Sequence, residues 1–91
     1  MRNFKIKVTP KESEVVQKLL FLAGYKWFSG GPTEIKSTNS PYLFFDNSDV
    51  PYMTQNLTYS NNKYTFINDN NPEITFDEFI TEIEIELNER F

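Results

Sequence analysis

The clearest structural signal in the chain lies in residues 4–24, which read FKIKVTPKESEVVQKLLFLAG. Its first five residues alternate apolar and basic side chains, as a strand with one buried face does. Thr9, Pro10 and Glu12 then supply a hydroxyl N-cap, a proline suited to the first helical position and the glutamate of a capping box. The sequence therefore predicts a strand over residues 3–8 that leads directly into a helix.

The predicted helix covers residues 10–23 and has one apolar stripe. Gly24 follows it where a left-handed C-cap belongs. The spacing of the apolar positions indicates that this stripe packs against the core. Its members are Val16, Leu19, Leu20 and Ala23.

Short strands and turns are predicted in the middle of the chain. Residues 25–28 read as a strand, residues 29–32 as a turn or loop, and residues 33–36 as a further short strand. The run Tyr-Leu-Phe-Phe at 42–45 is fully apolar, which favours a central strand.

Residues 57–67 have the pattern of a β-hairpin. Asparagine tolerates positive φ, so Asn61 and Asn62 suit a two-residue primed turn between two strands. The matching register places four apolar side chains on one face. It pairs Tyr59 with Tyr64 and Leu57 with Phe66.

The last segment is predicted to form a second helix. Thr75 and Glu78 repeat the capping box, and apolar residues follow at helical spacing. Residues 81–87 also alternate in a way that a strand would, but the cap and the helix-forming glutamates favour the helix. The element order is then β-α-β-β-β-β-α. It predicts a single α+β domain over residues 1–91 with two layers, a mainly antiparallel sheet and helices on one face.

Composition limits the classes to which this protein can belong. The 91 residues fit one domain, and no apolar run approaches the roughly 20 residues of a membrane span. The N-terminus has no long apolar segment of a secretory signal, and the chain has no cysteine for disulfides. A cytoplasmic protein without membrane contact is the expectation.

Charge is distributed unevenly along the chain. Residues 1–36 carry a net charge of +4 and residues 73–91 a net charge of −6, within a total of −4. This asymmetry argues against general nucleic-acid binding, which calls for a basic surface throughout. It suggests an acidic face for a basic partner, formed by Glu82, Glu84, Glu86 and Glu89. A symmetric homo-oligomer that buries a strand edge and the last helix is a further expectation.

The side chains of common catalytic sites are missing. Without histidine and cysteine the chain lacks the usual general base near neutral pH, thiolate chemistry and the usual transition-metal ligands. No nucleotide-binding glycine motif or nucleophile elbow occurs. We therefore expect a protein that is not an enzyme and uses no cofactor or metal.

One segment has the composition of a binding site. The loop amides of Ser29, Gly30 and Gly31 can hold a phosphate, and flanking lysines and aromatic rings can complete the site. The alternative is that the aromatics are core residues and the glycines only a turn. The flanking residues are Tyr25, Lys26, Trp27 and Lys36.

The sequence also resembles a loose group of small phage and prophage accessory proteins, most without assigned chemistry. The resemblance rests on Val16-Gln17, on the Gly-Tyr-Lys-Trp step at 24–27 and on the Glu-Ile-Thr motif at 73–75 before the closing helix. It implies a protein in the cytoplasm of a bacterial host cell that inhibits an anti-phage defence factor by binding it. A host protein is the first expected target. Sequestration of a nucleotide signal is the first alternative to this function, and a small enzyme acting on a nucleotide is the second alternative.

Overall fold

The computed structural model describes residues 1–28, 33–47 and 55–90, and these ranges contain a four-stranded mixed sheet and three helices. The domain is a small α+β domain, as the sequence predicts. In chain order its elements are β1 (Phe4–Lys7), α1 (Pro10–Leu22), β2 (Lys26–Trp27), β3 (Tyr42–Phe45), β4 (Gln55–Ser60), α2 (Lys63–Asn68) and α3 (Phe76–Arg90).

The sheet has the strand order β1-β3-β4-β2. Strand β3 is antiparallel to both of its neighbours and buries all four of its residues, so the predicted central strand is confirmed. The two-residue strand β2 pairs in parallel with β4 at one side of the sheet. On the other side, the Lys5 backbone forms a bridge with Glu73 that covers β1.

Helices α1 and α3 pack together on one face of the sheet, as predicted, and the main core lies beneath them. Both helices begin with a closed capping box. Glu12 N–H donates to Thr9 Oγ1 at 3.2 Å, and Glu78 N–H donates to Thr75 Oγ1 at 3.1 Å. Gly24 has a φ of 97°, the left-handed conformation predicted after α1. The largest buried side chains of this core are Trp27, Phe4, Phe45 and Phe79.

The alternating residues 81–87 lie within α3, so the helical interpretation is confirmed. Phe79 and Ile83 are fully buried in the core, one helical turn apart. Within the ranges given above, the structure has no helix with the length and apolarity needed to cross a membrane.

The predicted hairpin is wrong in its second arm, because Lys63–Asn68 is the helix α2. Asn62 acts as an N-cap rather than as a turn residue: its Oδ1 accepts the N–H groups of Tyr64 at 2.8 Å and Thr65 at 3.2 Å. Phe66 stacks on Tyr42 at 4.6 Å, on the sheet face opposite α1 and α3. Tertiary packing has overridden the alternating pattern.

A buried lysine binds the carbonyl oxygens at the C-terminal end of α2. Lys5 points to the same face of the sheet as Phe66 and is 8% exposed. Its ammonium donates to the carbonyl oxygens of Phe66 at 2.5 Å and Asp69 at 2.9 Å, where a helix has unpaired acceptors. The strand predicted at 33–36 is also absent: these residues have no regular secondary structure.

Candidate functional site

Trp27 belongs to the core. Only 1% of the residue is exposed, and the indole meets the Phe21 ring edge-on at 6.2 Å. Its Nε1–H donates to the Glu34 carbonyl oxygen at 3.0 Å, which satisfies the polar atom of the ring. The indole therefore has no free face on which a ligand base could stack.

Tyr25 is also buried, at the α3 end of the same core. Its ring meets Phe45 edge-on at 4.7 Å. Its hydroxyl donates to Glu86 Oε1, and the Met1 amino group lies 2.8 Å from the same oxygen. These contacts hold the Tyr25 hydroxyl and the Glu86 carboxylate together. Tyr25 is buried, whereas Glu86 is only partly buried and also lines a surface pocket.

Lys36 is fixed beside Trp27 from two directions. Its backbone N–H donates to Gln17 Oε1 at 3.0 Å, and its carbonyl accepts from Gln17 Nε2 at 2.8 Å. Its ammonium lies 5.1 Å from the centre of the Trp27 ring, within cation–π distance. Lys26 is exposed on β2, and the predicted residues Ser29, Gly30 and Gly31 lie outside the described ranges.

An aromatic groove opens where β2 ends, with a volume of about 200 Å³. Phe28 is 61% exposed and Tyr59 is 45% exposed, although both are large apolar side chains. The Tyr59 ring meets Trp27 edge-on at 5.8 Å, so the exposed wall rests on the core. The lining residues are Trp27, Phe28, Lys36, Leu57, Thr58 and Tyr59. We refer to them as the aromatic groove.

The sequence pointed to this region but not to its accessible residues. Trp27 and Lys36 were predicted and line the groove, whereas Phe28 and Tyr59 were not singled out as binding residues. In the strand predicted at 25–28 successive side chains point to opposite faces, so Phe28 points away from the face on which Trp27 is buried. Tyr59 was assigned to a hairpin whose second arm does not exist, which hid its position beside Trp27.

Three of the four glutamates predicted as an acidic face, Glu82, Glu86 and Glu89, line one surface pocket, whereas Glu84 does not. Glu82 forms two hydrogen bonds with the Arg2 guanidinium, at 2.8 and 3.0 Å, and Glu86 is partly buried beside the Met1 amino group. Glu84 and Glu89 are exposed, but Glu84 lies about 200° around the helix from Glu82. Glu84 therefore lies apart from the other three, and the binding of a basic partner by this acidic face stays a prediction.

Electrostatics on α3 are mostly those of a capped helix. The Thr75 N–H donates to Glu78 Oε1 at 3.0 Å. This backbone hydrogen bond and a second one from the Thr75 side chain hold the pKa of the Glu78 carboxyl below its usual value of 4.5. Within the described ranges, no three acidic side chains converge closely enough to hold a metal ion.

Comparison with protein-family models, with curated proteins and with solved structures found no match for this chain.

Proposed function

We propose that this protein is a non-catalytic accessory protein of the phage type, which inhibits a host protein by binding it through the aromatic groove. One observation carries the proposal. The aromatic residues predicted to hold a ligand are buried, whereas Phe28 and Tyr59, beside them, are exposed around an open groove.

Exposed aromatic side chains around a pocket are a common feature of protein-binding surfaces. Most soluble proteins bury residues such as Phe28, because each large apolar side chain left in water forgoes about 1.5–3 kcal/mol of burial free energy. Tyrosine is enriched among the residues that dominate interface energies. The groove joins one such residue, Tyr59, to a phenylalanine and a lysine that a partner can contact directly.

A protein partner fits this groove better than a nucleotide. Pockets that enclose small molecules measure about 300–1,000 Å³, whereas the groove measures about 200 Å³. For a nucleotide base, the covered Trp27 indole offers no face, so only Phe28 and Tyr59 remain for stacking. We therefore place nucleotide sequestration second.

The residues that carry the phage resemblance have packing roles. Gln17, Tyr25 and Trp27 are buried, so they define how the domain folds and leave target choice to surface residues. The lack of histidine and cysteine supports binding rather than catalysis. The proposed target, an anti-phage defence factor of the bacterial host, follows from the resemblance alone.

The test compares phage plating on hosts that carry different defence systems, with and without the chain. We expect the wild type to restore plaques on at least one defended host, and Phe28→Ser to lower that restoration at least tenfold. Tyr64→Ser is the matched control, since it removes a 74% exposed aromatic side chain from α2, on the other face of the sheet. Equal activity of wild type and Phe28→Ser would contradict the site, and no restoration on any host would contradict the anti-defence function.

Two further measurements address the alternatives. Native mass spectrometry of the chain purified from infected cells would show a bound nucleotide if sequestration were the mechanism. Incubation with nucleotides and divalent metals, followed by product analysis, would show turnover if the protein were an enzyme. We expect neither a retained nucleotide nor a product.

A further inference from the structure

Strand β4 extends past the end of β2. The Phe28 N–H donates to the Leu57 carbonyl oxygen at 2.8 Å, which is the last described backbone bond between the two segments. Strand β4 continues for three more residues, up to Ser60, and these still pair with β3 on the other side. Beyond Leu57, no segment within residues 1–28, 33–47 and 55–90 pairs with the side of β4 that faces away from β3, so this side is a strand edge of the described structure.

The backbone of Tyr59 points to this edge. Along a strand, the N–H and C=O groups of successive residues alternate between the two sides. Asn56 faces β3, because its carbonyl accepts the Asp46 N–H at 3.0 Å, whereas Leu57 faces β2. Tyr59, two residues after Leu57, faces the same way as Leu57. Among residues 1–28, 33–47 and 55–90, no backbone group is hydrogen-bonded to its N–H or C=O.

We propose that an extended segment of the partner protein adds to β4 at Tyr59 as an extra strand, in line with β2. The segment places a large apolar side chain in the aromatic groove and a carboxylate beside Lys36. This inference rests on the proposed function, since it specifies how the same groove binds a protein. Backbone bonds give such strand addition its affinity, and the side-chain pocket gives it specificity.

The groove has the size and walls for one large apolar side chain. A cavity of about 150 Å³ already accepts a benzene-sized group, and the groove measures about 200 Å³. Tyr59 and Phe28 supply the accessible apolar surface of the groove, with the buried side chains of Trp27 and Leu57 behind it. An apolar residue of the segment would cover this surface while its backbone pairs with Tyr59.

The charge at the groove favours an acidic residue next to that apolar one. Within the described residues, no carboxylate lies within ion-pair distance of Lys36 Nζ, which sits over the Trp27 ring. A second copy of this chain is a poorer occupant, because two-fold pairing at Tyr59 would bring the two Lys36 ammonium groups to the same interface. A foreign acidic segment meets no such repulsion.

The first experiment selects binders from a displayed library of random ten-residue peptides against the intact chain. We expect enrichment of a large apolar residue with Asp or Glu nearby, and a loss of affinity of about three- to tenfold for Lys36→Glu. Lys7→Glu makes the same charge change at the exposed residue of β1, at the far edge of the sheet, and should leave affinity unchanged. Equal loss in both variants, or no enrichment at all, would overturn the proposed segment chemistry.

The second experiment measures amide hydrogen exchange by NMR, with and without the best selected peptide. We expect the Tyr59 amide to exchange fast in the free chain and at least tenfold slower in the complex. The Thr58 amide, which pairs with β3, should be protected in both. Peptide binding without protection of Tyr59 would overturn strand addition but leave the groove as the binding site. Light scattering that shows a dimer broken by the peptide would assign the edge to a second copy instead. Loss of plaque restoration in Phe28→Ser, measured separately, reports on the proposed function alone.

Discussion

The side chain of Gln17 pairs with both backbone polar groups of Lys36, through bonds of 2.8 and 3.0 Å. Gln17 is fully buried in α1, and its Nε2 also donates to the Ser13 hydroxyl at 3.0 Å. The Gln17 amide thus makes the two backbone hydrogen bonds that a neighbouring strand would make. These bonds hold the segment that carries Lys36 against the core. The position of the groove lysine is fixed by a residue that a partner does not contact.

Replacing Gln17 by alanine should therefore damage both stability and the groove. The change leaves two partly buried backbone groups without their partner and a cavity in the core, and we expect a loss of about 2–4 kcal/mol in the free energy of unfolding. Denaturant titration measures it. Lys18→Ala, on the exposed side of α1, is the control and should cost less than about 0.5 kcal/mol. Similar losses in the two variants would contradict the role assigned to the Gln17 amide.

Neighbouring aromatic residues should behave in opposite ways. Trp27→Ala empties a fully buried site, and we expect it to lower the free energy of unfolding by about 3–5 kcal/mol. Phe28→Ala removes an exposed ring, and we expect a change within about 0.5 kcal/mol together with loss of partner binding. A Trp27→Ala protein that melts like the wild type would show that Trp27 is part of an open site.

Lys5→Met should loosen α2. Methionine keeps the apolar stem but removes the ammonium that the Phe66 and Asp69 carbonyls accept, so we expect a loss of about 1–3 kcal/mol. Amide exchange in α2 should become faster than in α1. Lys7→Met, two residues along the same strand and exposed, is the matched control. If amide exchange in α2 were the same in Lys5→Met as in the wild type, Lys5 would not cap this helix.

Glu78 should make stability depend on pH in the acidic range. The Thr75 hydrogen bonds hold its folded-state pKa below 4.5, so the stability it contributes is complete above that value and is lost as pH falls through the folded pKa. Glutamine can keep the cap bond without titrating. Between about pH 5 and pH 3, the melting temperature of wild type should therefore fall more than that of Glu78→Gln. Glu84→Gln removes a charge away from the cap, so its melting temperature should change with pH as that of the wild type does. A Glu78→Gln profile identical to that of the wild type would contradict the role given to Glu78.

Local chemistry was enough to predict the first and last helices. Thr9 with Glu12, and Thr75 with Glu78, satisfy helix N-termini by contacts three residues apart, so they depend little on the rest of the fold. The same applies to the central strand, whose continuous apolar run needs two covered faces. The burial of Trp27 confirms the alternative that the sequence left open, in which the aromatic residues belong to the core.

Contacts between distant residues decided the rest. The helix at Lys63–Asn68 depends on Lys5, 61 residues before Phe66, and on the stacking of Phe66 against Tyr42. No pattern within residues 57–67 carries that information. The groove was hidden for the same reason, because Tyr59 becomes a groove wall only where β2 stops beside β4.

Photocrosslinking at position 28 tests the central claim, binding of a host protein through the aromatic groove, most directly. Phe28 is exposed, so p-benzoylphenylalanine can replace it with little effect on the fold. Irradiated in defended host cells in which the chain restores plaques, this variant should yield an adduct with a single host protein whose overproduction reverses the restoration. The same probe at Tyr64, on α2, should not. Adducts of equal yield at both positions, or none at position 28 in a chain that still restores plaques, would contradict the account.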